Sequence, residues 1–312
     1  MNRAIFCFFV LSISNLFSQQ NIVNLDSIIK SDNYKVYKDI NYGNHERNVL
    51  DLWIAESEMK SPLMIYIHGG GFGSGSKESA YRKNNFNRIK KFNENGISFA
   101  TINHRFKNNE DGILSCLNDA KRALQFLRYN SEKFGLDKSK IGVMGSSSGA
   151  TISLWLGFFD DMADQNSKDP IDRESTRVSL VIGIGAAHTM NLNKWKEMLN
   201  IDQDYMDKLI LQYIGKLDRK KWMDKTLQSE YISKIDFFEK MDTNDPPFFI
   251  VNYGGTRKPK NLAEFHHHPL HAKILKQRGD SLNIKNFAVA PGIGLVDRSS
   301  QGLNGFIIEN LK

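Results

Sequence analysis

The stretch IGVMGSSSGA, residues 141–150, joins an apolar strand to a run of small residues that opens a helix. Within it, Gly145, Ser147 and Gly149 have the Gly-x-Ser-x-Gly spacing, in which a strained strand-to-helix turn lifts one serine hydroxyl out of the sheet. The central position makes Ser147 the candidate nucleophile. Because a serine hydroxyl is a weak nucleophile until a base takes its proton, the open question is which residue serves Ser147 as base.

Apolar runs alternate with helical segments on both sides of this stretch. Strands are predicted at 35–41, 48–54, 62–67, 96–104, 140–145, 178–187, 246–253 and 284–290. The alternation indicates an α/β fold with a mostly parallel central sheet and helices on both faces. Residues 190–241 form an insertion too long for an ordinary connection, and we expect a helical cap there. Trp195, Trp222 and Tyr231 are its candidate pocket residues, or they pack the cap onto the body.

A second motif, HGGGFGSG at residues 68–75, follows the strand at 62–67. Together with the serine turn it resembles the α/β-hydrolase superfamily, in particular the carboxylesterase and hormone-sensitive-lipase-like branch with its bacterial acetyl-xylan and feruloyl esterase relatives. The resemblance runs from about residue 35 to the C-terminus and includes NHRF at 103–106, where those enzymes usually read Asn-Tyr-Arg-Leu. It implies an α/β-hydrolase fold and ester hydrolysis.

Ester hydrolysis passes through a tetrahedral oxyanion, which preorganised backbone N–H groups stabilise. Consecutive glycines let the backbone approach with no side chain in the way, so Gly70 and Gly71 are the expected donors. The N–H of Ser148, just after the nucleophile, is expected to be the third. We expect His68 to orient this loop and not to act as base.

The acid and the histidine that the resemblance implies are missing from their usual phrases. After the strand at 246–253 the family usually reads His-Gly-x-x-Asp, but this chain reads YGGTR, ending in Arg257. After the last strand the family usually reads a phrase like Pro-Gly-Ala-Gly-His, but this chain reads PGIGL, ending in Leu295. Leucine accepts no proton and no histidine follows His271, so any base must come from elsewhere.

Two parts of the chain can supply a displaced histidine. The segment AEFHHHPLHAK, residues 263–273, follows the strand at 246–253 and should leave the active-site edge of the sheet. From it we predict His268 as base, with the neighbouring His267 as a second choice, and Glu264 as the acid that orients the imidazole. His188, which follows the strand at 178–187, is the other option.

The histidine segment also has two simpler interpretations. It is compatible with a surface histidine run at the start of a helix, with Pro269 in the first turn. His267 and His271 are four residues apart and match the spacing of metal ligands on one helical face, but no third ligand is evident, so we predict no metal site. The free thiol of Cys116 has no base in its local sequence and is expected in the core.

The N-terminal segment MNRAIFCFFVLSISNLFSQQ resembles a secretory signal peptide, with Arg3 before an apolar run that ends near Phe17. That run is shorter than the roughly 20 residues of a membrane-spanning helix. We therefore expect residues 1–18 to be a signal peptide, residues 19–312 to form one α/β-hydrolase domain, and the protein to be periplasmic or secreted, with no membrane span.

The formal net charge is +7. Basic residues are scattered among acidic ones without an interleaved aromatic platform, so no nucleic-acid partner is expected. A basic surface suits an acidic substrate, such as a glycan that contains uronic acid.

Together these features predict an exported serine ester hydrolase that acts on small or carbohydrate-linked acyl esters with a non-standard base and no cofactor. One alternative keeps the fold and loses the chemistry, giving a pseudo-hydrolase that only binds a ligand. Another uses the pocket for elimination on an acidic sugar.

Overall fold

A computed structural model describes residues 25, 29, 35–108, 111–202, 204–207, 224–296 and 302–312. The predicted signal peptide, residues 1–18, and Trp222 lie outside these residues. Within the described ranges, no helix is both long and apolar enough to cross a bilayer.

Nine strands form one sheet in the order β1-β2-β4-β3-β5-β6-β7-β8-β9. They are β1 (Lys35–Asn41), β2 (Val49–Ile54), β3 (Ser61–Ile67), β4 (Ser98–Ile102), β5 (Leu136–Ser146), β6 (Leu180–Ile184), β7 (Phe248–Val251), β8 (Asn286–Ala290) and β9 (Leu295–Val296). The neighbours from β4 through β8 pair in parallel, whereas β1, β2 and β9 join antiparallel at the two edges. The mostly parallel sheet is therefore as predicted.

Helices connect and cover the strands. They are α1 (Lys83–Glu94), α2 (Leu114–Tyr129), α3 (Ser131–Phe134), α4 (Ser148–Phe158), α5 (Leu192–Leu199), α6 (Lys225–Ile235), α7 (Leu262–His266), α8 (Leu270–Ser281) and α9 (Gly302–Leu311). Short 3₁₀ turns lie at Lys77–Tyr81, Phe238–Lys240 and Pro291–Ile293.

The side chains of β3 show how the sheet divides the core into two layers. Because successive side chains of a strand point to opposite faces, Leu63 and Ile65 pack in one layer, while Met64 and Tyr66 pack in the other. The first layer also holds the buried residues of α2 and α4, and the second holds those of α1 and α9. Helices on both faces are what the apolar strands require.

The insertion at 190–241 contributes α5, α6 and the turn at Phe238–Lys240. Trp195 is fully buried, and its Nε1–H donates to the Thr189 carbonyl at 2.9 Å. The Tyr231 hydroxyl accepts from the Ile113 N–H at 2.9 Å. Both aromatics therefore pack the insertion onto the body instead of lining a pocket, and the cap itself stays a prediction.

Candidate active site

Ser147 lies at a sharp turn between β5 and α4, with backbone angles φ 55° and ψ −123°. Its N–H donates to the Ile184 carbonyl at 2.8 Å, which holds the turn against β6. A Cβ at Gly145 would lie 2.2 Å from the Gly149 oxygen, and one at Gly149 would lie 2.2 Å from the Ile67 oxygen. Both glycines are therefore required, because any side chain would force the turn open and displace the serine.

The loop at 68–75 lies directly on this turn. A Cβ at Gly69 would lie 2.6 Å from the Ser146 carbonyl oxygen, so only glycine permits the approach. Gly70 and Gly71 follow with φ of 130° and 60°, in the region that favours glycine. Within the described ranges, the N–H groups of Gly70, Gly71 and Ser148 donate to no protein acceptor. They are thus available to a ligand oxygen.

His68 fixes the conformation of this loop. The ring is buried, and its Nδ1–H donates to the Gly69 carbonyl at 2.8 Å while its face stacks on His104 with centroids 4.3 Å apart. Burial, reinforced by His104, lowers the pKa of His68 to about 3, so the ring is neutral near pH 7. Arg47 clamps the far end of the loop by donating to the Gly75 carbonyl at 2.9 Å.

The imidazole that contacts Ser147 belongs to His267. Its Nε2 lies 2.8 Å from the Ser147 Oγ. His267 is the C-cap residue that directly follows α7, and its N–H donates to the Ala263 carbonyl at 3.0 Å. A Cβ at Gly254 would lie 2.1 Å from the His267 carbonyl oxygen, so the loop after β7 packs tightly against it. Burial lowers the pKa of His267, which keeps the ring neutral and able to accept a proton.

The prediction that His268 is the base is wrong, because His267 is the histidine that contacts Ser147. The Nδ1 of His268 accepts from the Leu270 N–H at 3.3 Å, and its ring also hydrogen-bonds to the Thr256 backbone. Consecutive side chains on a helical turn point about 100° apart, and one of the three adjacent histidines is turned toward the Ser147 hydroxyl. That residue is His267.

The expectation that Glu264 orients the base is also corrected. Its carboxylate accepts from Arg257 at 3.1 Å and from the Lys260 N–H at 3.1 Å, while the Asn261 side chain accepts from the Glu264 N–H at 2.9 Å. Glu264 and Asn261 thus form the capping arrangement that begins α7. No contact joins Glu264 to an imidazole in the described part of the chain.

The remaining histidines of this region form a buried, uncharged layer next to the Ser147–His267 pair. His266 Nε2 lies 3.0 Å from the Thr151 hydroxyl, on the first turn of α4. His271 donates from Nε2 to the Phe265 carbonyl at 2.9 Å, and its Nδ1 lies 2.7 Å from the His188 Nδ1. Burial lowers the pKa of both His188 and His266 to about 3. His188, the alternative candidate, is therefore paired away from Ser147.

The two potential metal ligands lie on different helices, because α7 ends before Pro269 and α8 begins after it. His267 contacts Ser147, while His271 contacts Phe265. In the residues that the structure describes, no three His, Cys, Asp or Glu side chains are placed to share a metal ion. Cys116 is fully buried, and burial raises the pKa of its thiol to about 12.

No described carboxylate hydrogen-bonds to His267. Apart from Ser147, its ring meets the edge of the His266 ring, with centroids 5.5 Å apart and planes at 86°. Arg257, at the position where the family resemblance implies an acid, is exposed and paired with Glu264. The site therefore contains a serine–histidine pair and three open N–H groups, which is the equipment for acyl transfer.

A cavity of about 520 Å³ opens beside the nucleophile. Ser146, Ser147, Gly69 and Gly70 line one part of it, and residues between 74 and 85 supply most of the remainder. The cavity gives a substrate room next to both the serine hydroxyl and the glycine loop.

Solved structures with a similar fold include several described as esterases. A truncated form of a carbohydrate esterase from gut microbiota superposes with a TM-score of 0.64 at 19% identity, covering 90% of this chain and 98% of that one. An acetyl ester-xyloside bifunctional hydrolase from Caldicellulosiruptor lactoaceticus superposes with a TM-score of 0.54 at 19% identity, covering 84% and 86%. The predicted α/β-hydrolase fold is confirmed.

Curated relatives match part of the chain. Esterase LipC of Mycobacterium tuberculosis is 22% identical over 213 residues, which are 68% of this chain and 49% of that protein. Probable isoprenylcysteine alpha-carbonyl methylesterase ICMEL2 of Arabidopsis thaliana is 27% identical over 158 residues, 50% of this chain and 36% of that protein. The chain thus spans less than half the length of these relatives. The BD-FAE family profile matches residues 50–257, from β2 to the loop after β7 that precedes the histidine segment. The chain belongs to the BD-FAE family.

Proposed function

We propose that this protein hydrolyses carboxylic esters, with Ser147 as nucleophile and His267 as general base. The observation that carries the proposal is the distance of 2.8 Å between His267 Nε2 and Ser147 Oγ, at a turn where Ser147 has a φ of 55°. That distance is within the range for direct proton transfer between a base and a hydroxyl.

The reaction follows from the positions of these atoms. His267 Nε2 takes the hydroxyl proton of Ser147 as the Ser147 Oγ attacks the carbonyl carbon of the ester. The carbonyl oxygen becomes negative and accepts hydrogen bonds from the N–H groups of Gly70, Gly71 and Ser148. The imidazolium then gives the proton to the departing alcohol as the ester C–O bond breaks. A water molecule, deprotonated by His267, attacks the carbonyl carbon of the acyl-serine. As the bond from that carbon to Ser147 Oγ breaks, the imidazolium returns its proton to Oγ, and the acid and the free enzyme are released.

Among the residues that the structure describes, no carboxylate orients His267, and this has a kinetic consequence. In a serine triad the acid holds the imidazole in one tautomer and stabilises the imidazolium, and losing it alone lowers turnover on the order of 10⁴-fold. The orientation of the His267 ring is set instead by the residues packed around it. We therefore expect slow hydrolysis of alkyl esters and faster hydrolysis of aryl esters, whose leaving groups need little protonation.

The proposed substrates are small or carbohydrate-linked acyl esters. Polar side chains from residues 74–85 line the cavity, and carbohydrate esterases are among the proteins with a similar fold. We further propose that the protein is exported, on the strength of the signal-like segment at residues 1–18.

Hydrolysis of 4-nitrophenyl acetate and of an acetylated methyl xyloside tests the proposal. Wild-type protein should release acetate from both, and Ser147→Ala should lower the rate by at least about a hundredfold. A wild-type rate no higher than that of Ser147→Ala would overturn the proposal in favour of a ligand-binding pseudo-hydrolase. Formation of an unsaturated uronic acid from an oligogalacturonide, with no acetate released from either ester, would instead favour the elimination reaction.

A further inference from the structure

The cavity beside Ser147 is lined by cationic and hydroxyl groups in addition to the glycine loop. Tyr66 from β3, Ser79 from the 3₁₀ turn, and Arg82 and Asn85 at the start of α1 all face it. The turn at 77–81 and the first turn of α1 thus place hydrogen-bond donors opposite the nucleophile.

Two arginines lie near the Tyr66 side of the cavity and have no carboxylate partner among the described residues, although only Arg82 lines the cavity itself. Arg82 is exposed and lines the cavity directly. Arg88, one and a half turns further along α1, is partly buried, and its Nε donates to the neutral Asn304 side chain at 3.2 Å. Burial lowers the pKa of the Arg88 guanidinium, but arginine remains protonated in proteins, so both guanidinium groups are cationic and neither is paired with a described carboxylate.

The Tyr66 phenol lies near both arginines. Burial raises its pKa, while Ser79, Arg88 and Arg82 beside it act in the opposite direction. The Ser79 Oγ is buried beside the Tyr66 phenol. Asn85 donates its amide to the Ser79 carbonyl at 2.9 Å, which fixes the turn against the helix. The Tyr66 and Ser79 hydroxyls and the Arg82 guanidinium therefore lie at one wall of the cavity.

Glu78 is the acidic residue of the cavity lining, and it contacts Lys77, which is also paired with Asp39 and Asp51. Its carboxylate lies 3.0 Å from the Lys77 Nζ, and hydrogen bonds from Ser76 and Lys77 lower its pKa against the opposing effect of burial. Glu78 therefore does not neutralise Arg82 or Arg88 through an ion pair.

We infer that this cavity binds a carboxylate carried by the ester substrate, so that the preferred substrates are acylated uronic acids. The inference rests on the proposed function, because it places the carboxylate next to the ester that Ser147 attacks. A planar carboxylate matches the fork of N–H donors on a guanidinium, and the Tyr66 and Ser79 hydroxyls can donate to its remaining lone pairs. The cavity, at about 520 Å³, also has room for a sugar ring that links the carboxylate to the acyl group.

Paired substrates that differ only in charge test the inference. In the first pair, acetylated methyl galacturonoside is compared with acetylated methyl galactoside, and the galacturonoside carries the carboxylate in the alcohol part of the ester. In the second pair, the 4-nitrophenyl monoester of adipic acid is compared with 4-nitrophenyl hexanoate, and the adipate monoester carries the carboxylate in the acyl part. We expect a kcat/KM ratio of about ten or more in favour of the charged galacturonoside, since a charge-assisted hydrogen bond contributes about 1.5–3 kcal/mol. A charge preference confined to the adipate pair would move the carboxylate to the acyl side and overturn the uronate assignment.

Arg82→Gln should bring the charged-to-neutral ratio close to one, and Tyr66→Phe should lower it in part. Lys83→Gln is the matched control, because Lys83 is exposed, adjacent in sequence and does not line the cavity. It removes the same net charge and should leave the ratio at the wild-type value. Equal ratios in wild type and Arg82→Gln would overturn the inference.

A binding measurement separates this inference from the proposed catalysis. In the Ser147→Ala protein, calorimetric titration with galacturonate should give tighter binding than titration with galactose, by about tenfold at low salt and less at high salt. This result does not require turnover, so an inactive wild-type protein would still leave the inference testable. Equal affinities for the two sugars would refute the carboxylate site whether or not esters are hydrolysed.

Discussion

Replacing His267 by alanine removes the imidazole that lies 2.8 Å from the Ser147 hydroxyl and leaves the remainder of the site unchanged. A positioned general base contributes about 10²–10⁴ in rate, and members of one catalytic unit fail together. The fall in kcat for His267→Ala should therefore match that for Ser147→Ala within about threefold, and the double variant should lose little more. Initial rates on 4-nitrophenyl acetate at pH 7.5, with folding of each variant checked by circular dichroism, give the comparison.

His268→Ala is the matched control, because His268 is the adjacent residue in the same turn and its ring is engaged by Leu270. It should keep most of the wild-type activity. His267 contributes only its own half-buried ring to the packing, so unfolding of the His267→Ala protein is not expected to account for the loss. The reverse pattern, with His268→Ala inactive and His267→Ala active, would refute the assignment of the base.

Three further predictions follow from the histidines and from Leu295. Three buried histidines each have a pKa of about 3 in the folded protein against an ordinary 6.5: His68, His188 and His266. Between these pKa values the unfolded chain binds more protons than the folded one, so the free energy of unfolding is highest above pH 6.5 and decreases as the pH falls. Between pH 7.5 and 5.5 each histidine should lower the free energy of unfolding by about 1.4 kcal/mol, which is about 4 kcal/mol for the three. Urea unfolding at the two pH values measures this, and an unchanged midpoint would contradict the prediction. Because burial lowers the pKa of His267, the acid limb of the kcat/KM profile should lie below pH 6.5, and a limb above that value would count against His267 as base. Leu295→His should restore little activity to His267→Ala, since nothing in the described chain supplies an acid to the new imidazole; recovery to the wild-type rate would show that the ordinary position still functions.

Sequence patterns predicted the fold because its determinants are local. The glycines at 145 and 149 are required by backbone contacts of 2.2 Å, and the apolar runs on either side are long enough only for strands covered on both faces. The candidate nucleophile followed from the same turn, since the central position of GSSSG is the one that the strand-to-helix geometry exposes.

The identity of the contacting histidine was not available from the sequence. Three consecutive histidines, residues 266–268, end a short helix, and which of them faces Ser147 depends on the rotation of that helix against the sheet. A difference of one residue rotates the side chain by about 100°. This orientation is set by packing, such as the contact of Gly254 with the His267 carbonyl, and not by any local preference.

The role of Glu264 did have a signal in the sequence. Asn261 and Glu264 have the three-residue spacing of a capping pair, and the structure shows the Asn261 side chain accepting from the Glu264 N–H. That pattern assigns the glutamate to the start of α7. A carboxylate that caps a helix is held away from a histidine three residues further on, which explains why its proposed orienting role was wrong.

The structure of the protein after reaction with a 4-nitrophenyl alkylphosphonate tests the Ser147–His267 pair most directly, because the phosphonate reproduces the tetrahedral intermediate of ester hydrolysis. We expect a covalent bond from phosphorus to Ser147 Oγ and the phosphonyl oxygen within about 3 Å of the N–H groups of Gly70, Gly71 and Ser148. We also expect His267 Nε2 within hydrogen-bond distance of an oxygen on phosphorus. An adduct on another serine, or an adduct on Ser147 with a different imidazole beside it, would show that the Ser147–His267 assignment is wrong.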